Sequence, residues 1–179
     1  EMDMCNGPLL KKILIFMIPL MASSFLQLFF NAADIIVVGK YAGKTALAAV
    51  GSTTSLINLL INLFIGLSVG TNVTVAKFYG EKKPKDVSDT VHTAIALSII
   101  SGIVMSIFGI LLSKIMLELM GSPYDVIDQA SLYLRVYFIG MPALMIYNFG
   151  SAILRAIGDT KRPLYFLLFS GLINVVLNL

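Results

Sequence analysis

Long stretches without a charged residue constrain the fold of this sequence more than any other feature. Five of them separate the clusters of charge: residues 13–33, 45–76, 90–113, 136–154 and 163–179. A helix that crosses a bilayer needs about 20 mainly apolar residues. Four stretches meet or nearly meet that length, and the fifth reaches the end of the sequence. Only 13% of the residues are charged, against about 25% in soluble domains, so lipid surrounds most side chains.

The connections between these stretches divide the sequence into five predicted helices. Glycine readily ends a helix and proline readily starts one, and both cluster in the charged connections. The predicted helices cover roughly residues 9–38, 46–78, 86–117, 125–156 and 164–179. We therefore expect an all-α integral membrane protein of about five transmembrane helices. Residues 1–179 form one transmembrane unit, with no separate soluble domain.

Lysine and arginine are unevenly distributed between the two predicted sides of the membrane. Nine lie on the side of the N-terminus and three on the other, not counting Arg135 inside the fourth predicted helix. Cytoplasmic connections are the ones enriched in Lys and Arg, which predicts a multi-pass protein of the cell membrane with a cytoplasmic N-terminus. The cations form no single basic face, so the net charge of +3 does not indicate nucleic-acid binding.

A polar stripe runs along the first predicted helix. Ser23, Ser24, Gln27, Asn31 and Asp34 follow one another at spacings near three and four, so they share one face. That face predicts contact with a protein interior or a water-filled cavity rather than lipid. Asp34 is the leading candidate for function, because a carboxylate there can hold a proton or a small cation in one conformation and release it in another. The alternative is that Asp34, five residues before Gly39, meets interfacial water at the helix end.

Amide side chains form a second group of candidates. Asn58 and Asn62 share one face of the second predicted helix, and Asn174 and Asn178 share one face of the fifth. Hydrogen bonding between helices would explain the first pair as well as substrate contact would. For the second pair, amide oxygens are suitable ligands for a cation and suitable partners for a carboxyl group.

Three further residues stand out for their position. Tyr137 and Asn148 lie near one face of the fourth predicted helix, where packing and a cavity are both possible roles. Pro19 lies in the middle of the first predicted helix, where it removes a backbone hydrogen bond and permits a kink. It is a candidate hinge, although structural prolines are also common in membrane helices.

Known motifs of catalysis and cofactor binding are absent from the sequence. There is no Walker loop, HExxH, cysteine cluster or GxSxG, so we predict neither an enzyme nor a bound metal or cofactor. Gly66 and Gly70 form a GxxxG pattern, and Gly102 with Ser106 forms a similar small-residue pair. Both pairs predict close helix packing.

Several motifs, in order, give the sequence a resemblance to a transporter family. They are IPL at 18–20, ADIIVVG at 33–39, ALAAVG at 46–51, GLSVGT at 66–71 and LRAIGDTKRP at 154–163, followed by Asn174. Together they resemble the multidrug and toxic compound extrusion (MATE) transporters across nearly the whole chain. The resemblance implies two lobes of six helices around a central cavity, of which this chain is a partial N-terminal lobe. The C-terminal lobe of the same protein would be its partner.

The resemblance also implies roles for individual residues. A drug and a cation, H⁺ or Na⁺, would move in opposite directions by alternating access, and the drugs would be amphipathic organic cations. Asp34, Asn174, Asn178 and Asn148 would form the coupling site, and Pro19 would let the first helix bend. Together with the polar patterns, this predicts the cavity or polar stripe at Gln27, Asn31, Asn58, Asn62 and Tyr137.

Two other functions remain open from the sequence. A lipid-linked oligosaccharide flippase shares the broad architecture, but it needs several cations for pyrophosphate, and the predicted spans hold only Arg135. A non-transporting membrane scaffold subunit would also be compatible with the helix pattern. A membrane enzyme is disfavoured because no catalytic spacing is present.

Overall fold

The computed structural model describes residues 9–178, except for the side chains at 9, 42, 43, 45, 177 and 178. Within this range the chain is helical between short connections and contains no strand, so the predicted all-α fold is confirmed. The helices are α1 (Leu9–Val37), α2 (Gly43–Gly80), α3 (Pro84–Leu119), α4 (Ile127–Ile139), α5 (Met141–Ala156) and α6 (Lys161–Asn178). A π-helical segment, Val38–Ala42, joins α1 to α2 where a loop was expected.

Three of these helices are long and apolar enough to span a membrane: Leu10–Tyr41, Ala46–Gly80 and Pro84–Leu119. The pair α4 and α5 passes the same test if the two helices are taken together as one bent span. By length and composition, the described part of the chain thus holds three candidate spans, or four with the bent pair. Helix α6 occupies the position of the fifth predicted span, which runs to the end of the sequence; it begins with Lys161 and Arg162 and is less apolar than α1, α2 and α3.

The single helix expected over residues 125–156 is two helices. They meet at Gly140 with a bend of 49°. Pro142 lies in the first turn of α5 and has no backbone N–H with which to continue the hydrogen bonds of α4. The sequence Gly140-Met141-Pro142 therefore explains the break. As a consequence, Tyr137 and Asn148 belong to different helices.

Two glycines end helices in the left-handed conformation. Gly121 (φ 71°) follows α3 and Gly158 (φ 85°) follows α5, and in each case two backbone N–H groups return to carbonyls of the last helical turn. After Gly158, the Oδ1 atom of Asp159 accepts hydrogen bonds from the backbone of Lys161 and Arg162 at 3.2 and 3.1 Å. Its Oδ2 atom pairs with Arg162 at 3.1 Å. Asp159 thus caps the start of α6.

Two glycines of α3 allow close packing against the bent pair α4–α5. A Cβ atom on Gly102 would lie 2.6 Å from the Cα atom of Pro142, and a Cβ atom on Gly109 would overlap the ring of Phe138. Gly102 therefore packs closely, as its sequence pattern predicts. Gly66 and Gly70 do not. Both are exposed, with no atom of the described chain within 4 Å of a Cβ position.

Several buried hydroxyl groups in this core bond to the helix that carries them. Ser98 donates to the carbonyl of Ile95 at 2.7 Å, and Thr53 donates to that of Val50 at 2.9 Å. The side chain of Asn72 on α2 instead connects two helices, since it donates to the carbonyl of Ala152 on α5 at 2.7 Å. Such interhelical bonds contribute about 0.6 kcal/mol on average, so packing rather than polar bonding stabilises the α2–α5 group.

Helix α1 stands apart from this group. It packs along α6, where the ring of Phe30 occupies the space beside Gly171 that a Cβ atom would need. Its contacts with α2–α5 are sparse in the described part of the chain. The fold therefore consists of two helix groups, α1 with α6 and α2 with α3, α4 and α5, and a space lies between them.

The contact of Gly102 with Pro142 generates a stability prediction. We expect Gly102→Ala to destabilise the protein by about 1–3 kcal/mol, because the added methyl group meets backbone atoms that cannot move aside easily. The midpoint of thermal denaturation in detergent should fall by several degrees. Gly150→Ala is the matched control, since a Cβ atom there meets nothing within 4 Å, and its midpoint should not fall. Equal midpoints for the two variants would contradict the packing described for α3.

Candidate functional site

A cavity of about 700 Å³ separates the two helix groups. Its walls come from α1 and α6 on one side and from α2 and α5 on the other. The polar side chains that line it are Gln27, Asn31, Asp34, Asn58, Asn62, Tyr147, Asn148, Ser170 and Asn174. Aliphatic and aromatic side chains complete the wall: Phe30, Ile61, Ile65, Ala143, Leu144, Phe166 and Leu167.

Helical periodicity places the polar side chains on this wall. On α1, Gln27, Asn31 and Asp34 follow one another at four and three residues, and on α2 Asn58 and Asn62 are four apart. Residues at these spacings lie above one another on one face of a helix. The polar face of each helix is thus turned towards the cavity. Exposed apolar residues such as Ile36 and Leu59 lie elsewhere on the same helices.

Asp34 supplies the charge of the site. It is the only charged side chain among the described residues that line the cavity. Its side chain is half-buried, and it lies three residues before Val37, the last residue of α1. The carboxylate therefore lies near the helix end and also faces the cavity, and its role stays a prediction. A cavity with one carboxylate and many amides favours a cation over an anion.

One amide of the site has an unused donor. The Nδ2 atom of Asn148 is buried and has no hydrogen-bond acceptor among the described residues. A buried donor without a partner costs about 1–3 kcal/mol. Asn148 therefore gains from any ligand or water that brings an acceptor into this part of the cavity.

The structure brings together most of the residues that the sequence singled out. The predicted residues that line the cavity are Gln27, Asn31, Asp34, Asn58, Asn62, Asn148 and Asn174. Tyr137 does not line it. The ring of Tyr137 instead packs between Tyr133, at 6.5 Å between centroids, and Phe138, at 6.4 Å. Its assignment to the cavity assumed a continuous helix to residue 156, which the bend at Gly140 rules out.

Of the two remaining predicted residues, one has a side chain outside the described part of the structure and the other does not line the cavity. The side chain of Asn178 lies outside the described residues, so its place in the site stays a prediction. Pro19 lies within α1, two turns before Gln27, and its carbonyl accepts a hydrogen bond from Ser23 at 2.8 Å. Ser24 bonds in the same way to Leu20 at 3.2 Å. A proline together with such hydroxyl bonds is typical of a helix segment that bends.

Sequence reasoning missed two polar residues of the site. Tyr147 precedes Asn148, and its hydroxyl donates to the carbonyl of Pro163 at 3.4 Å, linking α5 to the start of α6. Ser170 lies four residues before Asn174 on the cavity face of α6. The spacing of four would have identified Ser170. No sequence signal distinguishes Tyr147 from the other tyrosines.

No group of three or more His, Cys, Asp and Glu side chains comes together in the part of the chain that the structure describes. A transition-metal site therefore has no donor set there. A monovalent cation is a different case, because one carboxylate with neutral amide oxygens is a suitable donor set for it. Asp34, Asn174 and the other amides of the cavity wall offer such oxygens.

The chain is similar in sequence to known membrane proteins. The family model MatE matches residues 19–179. The probable multidrug resistance proteins YoeA and YpnP of Bacillus subtilis are 32% and 31% identical to this chain, over 91% and 98% of it. The chain spans only 35% and 39% of the lengths of these two relatives.

Solved structures give the same result for the fold. Crystal structures of MATE in the bent and in the straight conformation align with TM-scores of 0.90 and 0.89, at 28% sequence identity. The alignments cover 98% of this chain and 39% of those chains. The described helices are therefore arranged like part of a larger transporter.

Water in the cavity can be tested with cysteine chemistry. In a protein that carries Cys5→Ser, we expect Ser170→Cys in the cavity wall to react readily with a water-soluble maleimide, because the reactive thiolate forms only in contact with water. Ile100→Cys is the control, since Ile100 on α3 is 60% exposed and does not line the described cavity, and we expect hydrocarbon to cover it in the membrane. It should react far more slowly. Similar rates of maleimide reaction for Ser170→Cys and Ile100→Cys in membranes would mean that water does not enter the cavity.

Proposed function

This chain belongs to the MatE family, and we propose that it forms part of the N-terminal lobe of a cation-coupled antiporter that exports amphipathic organic cations by alternating access. Its relatives include probable multidrug resistance proteins, and it is a multi-pass helical membrane chain. Because it spans just over a third of those relatives, transport requires the rest of the protein, above all a second lobe. We assign the protein to the cell membrane with a cytoplasmic N-terminus.

The make-up of the cavity supports an organic cation as substrate. A volume of about 700 Å³ lies within the usual range for small-molecule sites. Phe30, Phe166 and the aliphatic wall can bury an apolar body, while Asp34 attracts a positive charge. No Lys or Arg is among the described lining residues, so a pyrophosphate-linked substrate has no counter-ion here. The proposed substrate class rests on one observation, which is that the cavity wall combines a single carboxylate with amides and apolar groups.

Competition for one carboxylate would couple the two movements. Asp34 can neutralise either a drug cation or a coupling ion, H⁺ or Na⁺, but not both at once. Asn174 and the predicted Asn178 would add amide oxygens for the ion. If the ion binds more tightly in one conformation than in the other, its binding shifts the equilibrium and releases the drug. The cycle needs no other ionisable group in this lobe.

The test is efflux of a fluorescent organic cation from cells that express the complete protein. We expect Asp34→Asn to reduce ion-driven efflux to the background of cells without the protein, because the amide keeps the shape of the side chain but carries no charge. Asp89→Asn is the matched control, since Asp89 is exposed on α3 and lies outside the cavity. It should export at the normal rate.

The other outcomes separate the alternatives. Normal efflux by Asp34→Asn would keep the transporter but place the coupling site elsewhere. No efflux by the unmodified protein, despite normal membrane expression, would favour the flippase or the scaffold. Imposing a proton gradient or a sodium gradient separately identifies the coupling ion.

Bending of α1 at Pro19 is the second part of the mechanism that can be tested. We expect Pro19→Ala to slow efflux several-fold while drug binding changes little, because alanine restores a backbone N–H and stiffens the helix. Binding of the same fluorescent cation to purified protein gives the comparison. Pro123→Ala, in the connection before α4, is the control. Unchanged efflux in Pro19→Ala would remove the hinge from the mechanism.

A further inference from the structure

Arg135 lies in a small polar cluster on the side of α4 away from the cavity. Its Nε atom donates to the hydroxyl of Ser113 at 3.3 Å, and that hydroxyl lies 3.2 Å from the hydroxyl of Ser131. Ser113 and Ser131 are buried, with 0% and 5% exposure, while Arg135 is exposed. No residue of α4 lines the cavity. The transport site therefore leaves this arginine unexplained.

The surroundings of Arg135 are those of a lipid-facing surface. On the same exposed face of α4, Leu132, Val136 and Ile139 are 65%, 62% and 64% exposed. Apolar side chains this exposed on a membrane helix contact hydrocarbon in the absence of another helix. The guanidinium group thus lies at the edge of an apolar surface, with neutral hydroxyls behind it.

Arg135 differs from the neighbouring cation in having no acidic partner. Lys114, next to Ser113 on α3, pairs with Asp128 at 3.3 Å. No carboxylate in the described part of the chain pairs with Arg135. A cation at membrane depth is costly unless an opposite charge or water reaches it. Its planar fork of N–H groups matches the oxygens of a phosphate better than a lysine does.

Helix geometry directs the group towards the membrane surface. Arg135 is eight residues from Ile127, the first residue of α4, which corresponds to about 12 Å at 1.5 Å per residue. Side chains on a helix tilt towards its N-terminus, and the N-terminus of α4 follows the connection after α3, at the membrane surface. The bond to Ser113 and the position of Ser131, one turn nearer that surface, agree with this direction. A long side chain can therefore reach the headgroup layer.

We propose that Arg135 binds the phosphodiester group of a membrane phospholipid, with Ser113 and Ser131 holding the guanidinium in place. The acyl chains of that lipid lie against Leu132, Val136 and Ile139. The charge pattern predicts the outer leaflet for this site. The lipid site is separate from the transport cavity and does not depend on the proposed substrate.

The experiment is native mass spectrometry of the complete purified protein with added phosphatidylglycerol. We expect Arg135→Gln to weaken binding of the first lipid about tenfold, as loss of one charge-assisted contact does. Lys114→Gln is the matched control and should bind as the unmodified protein does, because Asp128 already neutralises that lysine. Arg135→Lys should bind the lipid at an intermediate level, since lysine keeps the positive charge but lacks the parallel N–H donors of the guanidinium group. Digalactosyldiacylglycerol, which has no phosphate, should bind weakly and equally to all variants.

Several results would overturn the proposal. The first is equal binding of phosphatidylglycerol by the unmodified protein and by Arg135→Gln. The second is equal binding of the two lipids by the unmodified protein. The third is displacement of phosphatidylglycerol by millimolar inorganic phosphate. The first would mean that another group, such as a carboxylate elsewhere in the complete protein, neutralises Arg135. The third would indicate a site for soluble anions. If Arg135→Gln is not monodisperse, the comparison of Arg135→Lys with Lys114→Gln decides instead. Because the readout is lipid binding, failure here leaves the efflux result unaffected.

Discussion

Hydrocarbon offers no hydrogen bonds, and every other feature of this chain follows from that constraint. Backbone groups in the membrane must pair within their own helix, so the described chain is helical almost throughout. Small polar side chains can join the same internal network, as Ser98 and Thr53 do by bonding to the preceding turn. Larger amides and carboxylates cannot be accommodated in this way. They are stable only where protein or water meets them, which explains why Asp34 and the amides near it line a cavity and why Asn72 bonds to a carbonyl of another helix.

The cavity exists because the helices pack in two unequal groups. Glycines let α3 approach α4 and α5 closely, at Pro142 and at Phe138, whereas α1 packs along α6. Few interactions cross between the groups on the cavity side. Tyr147 is one of them, since it bonds to the carbonyl of Pro163 at the start of α6. A space between two well-packed bodies can change volume without disturbing either core, which is a suitable property for a site that must open and close.

The sequence predicted the cavity residues best where a single helix decides the outcome. Gln27, Asn31 and Asp34 share a face by periodicity alone, and that face lines the cavity. Prediction failed where the position of a residue depends on a break in its helix or on contact with a neighbouring helix. Tyr137 was displaced by the bend at Gly140, and the exposed Gly66 showed no close partner in the described chain. Arg135 and Ser113 come from different helices, so only the packing of α3 against α4 reveals that they meet.

The contact between Phe30 and Gly171 joins the first described helix to the last. During synthesis α1 enters the membrane before any other described helix. The space beside Gly171 that receives the ring of Phe30 forms only when α6 has been made. Until then, Asp34 and the amides beside it have no opposite wall from α6 and must be shielded by water or by the insertion machinery. Assembly of this chain is therefore governed by a contact of long sequence separation. The polar site is completed only once α6 has been made, rather than when α1 inserts.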